Sequence, residues 1–158
     1  TKTPELTPVT TSVLSPSPSP SPTSDQITDW KTSDSQILKV SFKYPERMRW
    51  ALFEVERAEI LNYKGINIPE NRDFVFGIEK FPDSTVSEVF SKDKTTYKFA
   101  GELENTEVNG YVAQLASMPS PLTGARLYYF QRGKDVYRIT MSDGSEERQI
   151  LSTFKFLD

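Results

Sequence analysis

From Ser15 to Pro22 serine and proline alternate without a break, and that tract divides the chain into two unlike parts. Proline fixes φ and carries no backbone N–H, so a proline at every second position blocks helix and sheet alike and favours polyproline II. Pro4 and Pro8, with Thr1, Thr3, Thr7, Thr10 and Thr11, extend the same bias to the start. Residues 1–29 are therefore expected to form a disordered Pro/Ser/Thr-rich tether, with a reach of about 90 Å when extended against roughly 30 Å for a Gly/Ser coil of equal length. A ligand for an SH3 or WW domain is the functional alternative for such a tract. Prolines at every second position, however, never stand three apart as P-x-x-P requires, which leaves a spacer.

The chain has 158 residues, so about 130 follow the tether, enough for one domain over residues 30–158 that buries about two-thirds of its unfolded surface. It has no cysteine, so stability must come from the core and not from disulfides. The net charge is -3, and the tail carries Lys2 against Glu5, Asp25 and Asp29, which leaves the domain near neutral. Binding to nucleic acid by counterion release is not expected of such a balance. No stretch reaches the apolar length of a membrane span. The opening at Thr1 has no methionine, basic n-region or apolar h-region, as expected of a processed or trimmed form.

Strand and helix signals follow from Trp30 onward. Leu38, Val40, Phe42 and Tyr44 alternate with Lys39, Ser41 and Lys43, a strand with one buried face that Pro45 closes. Between Trp50 and Tyr63, Phe53-Glu54-Val55-Glu56 alternates like a strand while Glu56 to Leu61 favours helix by propensity; a strand passing into a loop is expected. Phe74, Phe76 and Ile78 mark a further strand ended by Pro82. Thr85-Val86-Ser87-Glu88 then reads as a capping box opening a short helix with Val86, Val89 and Phe90 inward. Asn109-Gly110 signals a turn before a strand from Tyr111 to Ala116, and Leu127–Gln131 and Val136–Met141 form a hairpin through Arg132-Gly133-Lys134. Asp143, with Glu146 three residues on, is expected to cap a final helix whose Ile150, Leu151 and Phe154 fall on one stripe. Antiparallel strands with one helix in the middle and one at the C-terminus describe an α+β fold with helices covering sheet faces.

The run Val40-Ser41-Phe42-Lys43-Tyr44-Pro45 followed by Trp50, and the closing run Ile150-Leu151-Ser152-Thr153-Phe154-Lys155-Phe156, resemble the opening and the end of PsbP-like domains. Glu46-Arg47-Met48-Arg49 makes the gap before Trp50 longer than is usual there. The resemblance covers residues 30–158. It implies a PsbP-like α/β/α sandwich with a central antiparallel sheet and a C-terminal helix. It also implies an extracytoplasmic, cell-envelope protein, often a lipoprotein anchored through a cysteine ahead of such a tether, whose members mainly bind proteins. Contact with a membrane is then expected only through an upstream anchor, and a partner among other envelope or membrane-associated proteins.

The chain has neither histidine nor cysteine, which removes Cys/His zinc sites, Ser-His-Asp triads, Cys-His nucleophiles and histidine acid/base chemistry together. G-x-x-x-x-G-K and G-x-G-x-x-G phosphate cradles are absent as well. Ser152-Thr153-Phe154-Lys155 is a literal S-x-x-K, but it closes the chain where the penicillin-binding motif opens a helix, so a helix end is expected. Glu54/Glu56 and Glu102/Glu104, at i, i+2 on one side of a strand, offer carboxylates to a hydrolase of envelope polymers, although a solvated strand face gives the same pattern. Asp143-Gly144-Ser145-Glu146-Glu147 offers oxygens to calcium but lacks the D-x-D-x-D-G order. Around the late hairpin, Arg126, Arg132, Lys134 and Arg138 interleave with Tyr128, Tyr129 and Tyr137, the composition of stacking platforms and of protein-binding patches. The expected object is a monomeric, non-enzymatic accessory or protein-binding module with no cofactor, metal or catalytic residue, its candidate partner surface made by Tyr128, Arg132, Lys134 and Arg138. A carboxylate hydrolase and a purely structural spacer or cap are the alternatives.

Overall fold

The computed structural model describes residue 27 and residues 29–54, 57–63, 72–118 and 125–158; the side chains of residues 50–75 are not among them. Most of the tether thus lies outside the described residues, as do Glu56 and the Trp50 side chain. The fold is α+β, with every strand pairing antiparallel.

In chain order, β1 (Lys31–Ser35) and β2 (Val40–Tyr44) precede β3 (Arg49–Glu54), β4 (Arg57–Tyr63) and β5 (Arg72–Phe81); α1 (Val86–Tyr97) follows. Then come β6 (Glu104–Val108), β7 (Tyr111–Ser117), β8 (Arg126–Arg132), β9 (Asp135–Met141), α2 (Ser145–Thr153) and β10 (Lys155–Phe156). Seven strands make one sheet in the order β3-β4-β5-β9-β8-β7-β6, and three make a second in the order β1-β2-β10. One core lies between the large sheet and the layer of α2 with the small sheet, centred on Leu38, Val40, Phe42, Ile78, Phe130, Ile139, Ile150 and Phe154. A second lies between the other face of the large sheet and α1, built from Val89, Phe90, Phe99, Leu127, Tyr129 and Val136. Because both faces are covered, β8 buries Leu127, Tyr128, Tyr129 and Phe130 in succession. The first and third of these face α1 and the others face α2.

Thr85 caps α1 with the reciprocal bonds of a capping box, its hydroxyl accepting from the Glu88 N–H and the Glu88 carboxylate accepting from the Thr85 N–H at 2.8 Å. Asn109 at φ 52° and Gly110 at φ 82° supply the two left-handed residues that a two-residue turn between β6 and β7 demands.

Four expectations are corrected. The segment after β3 is a paired strand, β4, and not a loop: its helical propensity is worth a few tenths of a kcal/mol per residue, less than the pairing it gains against both β3 and β5. Asp143 does not cap α2. Gly144 does, in an extended conformation and without a side-chain bond, and the Asp143 carboxylate instead accepts from Arg126 Nη2 at 2.9 Å and Arg148 Nε at 3.0 Å. The fold does not end on α2 either: β10 pairs with β2 and carries Phe156 into the core. Glu102 precedes β6, so Glu102 and Glu104 share no strand face.

Candidate functional site

The four hairpin residues singled out from sequence do not form one surface. Tyr128 is buried in the core beneath α2. Arg138 is buried on the opposite face, beneath α1. Arg132 and Lys134 alone are exposed. The physical reason is the second covering layer: alternation on a sheet wet on one face would leave half of these residues in water, whereas here α1 and α2 cover both faces.

Arg138 instead organises the α1 side. Its Nη1 donates to the Asp93 carboxylate and its Nη2 to Glu79 Oε2 at 2.5 Å. The other Asp93 oxygen accepts from the Tyr129 hydroxyl at 2.8 Å. The rings of Phe81 and Tyr97 stand 5.2 and 5.9 Å from the guanidinium. Burial, and then the Asp93 charge, push the Tyr129 hydroxyl well above the ordinary tyrosine range. The Asp93–Arg138–Tyr129 centre of the cluster is buried and pins α1 to the sheet.

The exposed pair, Arg132 and Lys134, lies where two hairpin tips meet. The β7–β8 ladder runs from Ser117↔Arg126 to Gln114↔Tyr129 and stops. In that register Ala113 and Val112 would face Phe130 and Gln131, and neither pair forms, so the ladder ends short of the tips. The fork holds a hollow of about 220 Å³ on the α2 side, lined by Tyr111, Val112, Phe130, Gln131, Arg132 and Phe156. A second hollow of about 200 Å³ on the α1 side shares Val112 and Gln131.

Both prongs are held rigidly. On the β6–β7 prong, Asn109 Nδ2 donates to the Leu151 and Phe154 carbonyls, each at 2.9 Å, and so occupies acceptors left free at the end of α2. The Tyr111 hydroxyl accepts from the Phe156 N–H at 3.3 Å. On the β8–β9 prong, Gln131 Nε2 donates to the Ser84 and Gly133 carbonyls at 3.1 Å, and its Oε1 accepts from the Val86 N–H at 3.3 Å. The tip is thereby stitched to the start of α1.

Within the fork the Arg132 guanidinium lies 4.7 Å from the Phe156 ring centre and 5.9 Å from that of Tyr111. Arg47, Arg126, Arg138 and Arg148 each hold a carboxylate; Arg132 has none among the described residues. Val112, whose position in β7 turns it to the other face of the sheet, is 80% exposed, the most exposed large hydrophobic among the described residues. Sequence reasoning missed Tyr111, Val112 and Phe156. One signal for Val112 was present, because Tyr111, Ala113 and Leu115 take the inward positions of β7 and leave an apolar residue where a polar one belongs. The approach of Phe156 had no local signal, since it depends on β10 crossing to β2.

The remaining motifs are structural. Ser152 donates to the Gln149 carbonyl at 2.7 Å in the last turn of α2, and Lys155 is exposed on β10. Burial raises the Asp143 carboxyl, yet the Arg126 and Arg148 guanidiniums outweigh it and hold that group below the usual carboxylate range. Glu102 lies 3.9 Å from Lys94 in the loop ahead of β6.

No family model matches the chain. No curated protein matches it either. Among solved structures it is similar to a crystal structure of a protein from Bacteroides thetaiotaomicron VPI-5482, with a TM-score of 0.54 and 13% identity, over 83% of this chain and 50% of that one. The likeness is one of fold, and the chain spans half the length of that protein.

Proposed function

We propose that this chain is a non-enzymatic, extracytoplasmic accessory module of PsbP-like type, held on its proline-rich spacer and docking another envelope protein through the β7–β8 fork. The observation that carries this is the Arg132 side chain, exposed at the fork and set against the Phe156 and Tyr111 rings with no carboxylate among the described residues. An arginine and an aromatic wall at the centre of a small pocket are what binding hot spots are made of. Rigid prongs lower the ordering cost of association.

A non-enzymatic role is supported by the absence of histidine and cysteine. The fully buried carboxylate among the described residues, Asp93, is moreover committed to Arg138 and Tyr129, which suits an anchor for α1 and not a proton-transferring acid. The helix–sheet layering on both faces supports the PsbP-like reading of the fold, and the tether together with the resemblance supports an envelope location.

Site-specific photo-crosslinking in envelopes of the source cell tests the proposal. A photoreactive residue at position 112 or 134 should give a discrete adduct, one at position 43 on β2 should not, and Arg132→Glu should remove the adduct. Equal labelling from all three positions defeats the fork as the docking surface. Turnover of peptidoglycan or glycan by the purified chain would overturn the non-enzymatic assignment.

A further inference from the structure

Resting on that docking reading, we infer that the fork recognises one acidic side chain, a glutamate or aspartate carboxylate carried by an extended segment of the partner that runs across the two hairpin tips. The size of the hollow comes first. At about 220 Å³ it falls below the ~300–1,000 Å³ of small-molecule and cofactor sites and accepts one side chain or two. Its chemistry comes next. The guanidinium, 4.7 Å from the Phe156 ring centre and 5.9 Å from that of Tyr111, offers a planar fork of N–H donors whose geometry matches a carboxylate.

Charge complementarity then selects the anion. Arg132 has no carboxylate among the described residues. The nearest acidic residue in register, its cross-strand partner Asp135, is already taken by Lys80 at 2.8 Å. Lys134, exposed in the same tip, adds a second positive charge.

Topology selects a side chain over a chain terminus. The fork is blind, closed where the ladder resumes at Gln114↔Tyr129. A chain end threaded into it would carry its carboxylate to the closed end, whereas Arg132 stands at the open end. A segment crossing the tips delivers a side chain to the guanidinium directly. The unformed Val112↔Gln131 pair leaves backbone edge beside that path, which suits an extended segment.

The experiment is an NMR titration of the isotope-labelled chain with three pentapeptides: Thr-Val-Glu-Val-Thr blocked at both ends, the same with glutamine for glutamate, and the glutamine peptide with a free C-terminus. The blocked glutamate peptide should shift amides of residues 110–113 and 130–134 saturably. The blocked glutamine peptide, and Arg132→Gln with the glutamate peptide, should each bind about tenfold more weakly or worse, the worth of a charge-assisted bond. Lys43→Gln should change nothing. Equal binding of the two blocked peptides overturns the inference, and so does an equal loss in Lys43→Gln, which would mean unspecific charge. Binding of the free-ended glutamine peptide as tight as that of the glutamate peptide overturns the choice of side chain. Should Arg132→Gln disturb the fold's own spectrum, the three peptides on the unaltered chain still decide. A crosslink from position 134 together with indifference to glutamate would end the carboxylate inference and leave the docking surface standing.

Discussion

Replacing Asp93 by asparagine should destabilise the fold by about 3 kcal/mol, near the lower end of the ~3–5 kcal/mol that follows when one partner of a buried ion pair is removed. The structure sets that position in the range. Side chains of Arg138 and Asp93 are 9% and 6% exposed, so Arg138 cannot recover hydration once its partner loses charge. It does keep Glu79, itself 30% exposed, at 2.5 Å, and that second carboxylate moderates the loss. Arg138 Nε is already buried without a partner, so no spare contact softens it further. Asp93→Ala should cost more, by about 1–3 kcal/mol, because the Tyr129 hydroxyl would lose its acceptor as well. Set against a total of ~5–15 kcal/mol for a domain, either change is large. Urea unfolding followed by circular dichroism, with the slope checked for constancy, measures it. In a Tyr129→Phe background, where no hydroxyl is orphaned, the double variant Asp93→Leu with Arg138→Met should restore most of the loss, since apolar side chains of similar volume need neither hydration nor a partner. A cost below about 1 kcal/mol for Asp93→Asn, or a double variant whose losses simply add, would refute the claim that this pair is buried and coupled.

Other perturbations follow from the same contacts. The Tyr129 hydroxyl titrates higher in the fold than in the unfolded chain, so its contribution is complete below the ordinary tyrosine value of 10.0 and is lost as pH rises beyond it; Tyr129→Phe should flatten that alkaline decline in a pH series of unfolding midpoints. Lys80 at 2.8 Å holds the Asp135 carboxyl below its ordinary value of 3.8, so the pair stabilises above that value and fades as pH falls through the lower, folded one. Being partly exposed, the pair should be worth under about 1 kcal/mol and weaken in salt, which a double-mutant cycle with Lys80→Met and Asp135→Asn reads. Asn109→Gly keeps the left-handed turn but deletes both bonds to the end of α2; it should cost about 1–2 kcal/mol and speed amide exchange at Gly110 and Tyr111.

Local patterns made much of the fold legible. Val40 and Phe42 are buried as expected, although the strand starts only at Val40 after a turn at Lys39 and buries Ser41 between them; Thr85 and Glu88 close the capping box, and Asn109-Gly110 turns the chain at positive φ. What escaped were strands with little apolar content. The segments Lys31–Ser35 and Glu104–Val108 are edge strands of their sheets, and in the first the alternating buried positions are filled by Ser33 and Ser35, so no apolar alternation appears. The two-residue β10 is too short for any period. At the fork, the sequence pointed to the right hairpin and to Arg132 and Lys134, but it grouped with them two residues that the sheet buries on opposite sides.

The sequence by itself showed the alternating Ser/Pro tract of residues 15–22, the lack of histidine and cysteine, and where several strands, turns and one cap begin. These are properties of single residues and near neighbours. Only the tertiary structure decided that both faces of the large sheet are covered, which turns Arg138 from a surface cation into the anchor of α1 and removes Tyr128 from view. It also decided that the β7–β8 ladder ends at Gln114↔Tyr129, and that β10 returns Phe156 beneath Arg132. Those outcomes depend on contacts between residues far apart in the chain, and no local pattern encodes which of two equally alternating faces a distant helix will cover.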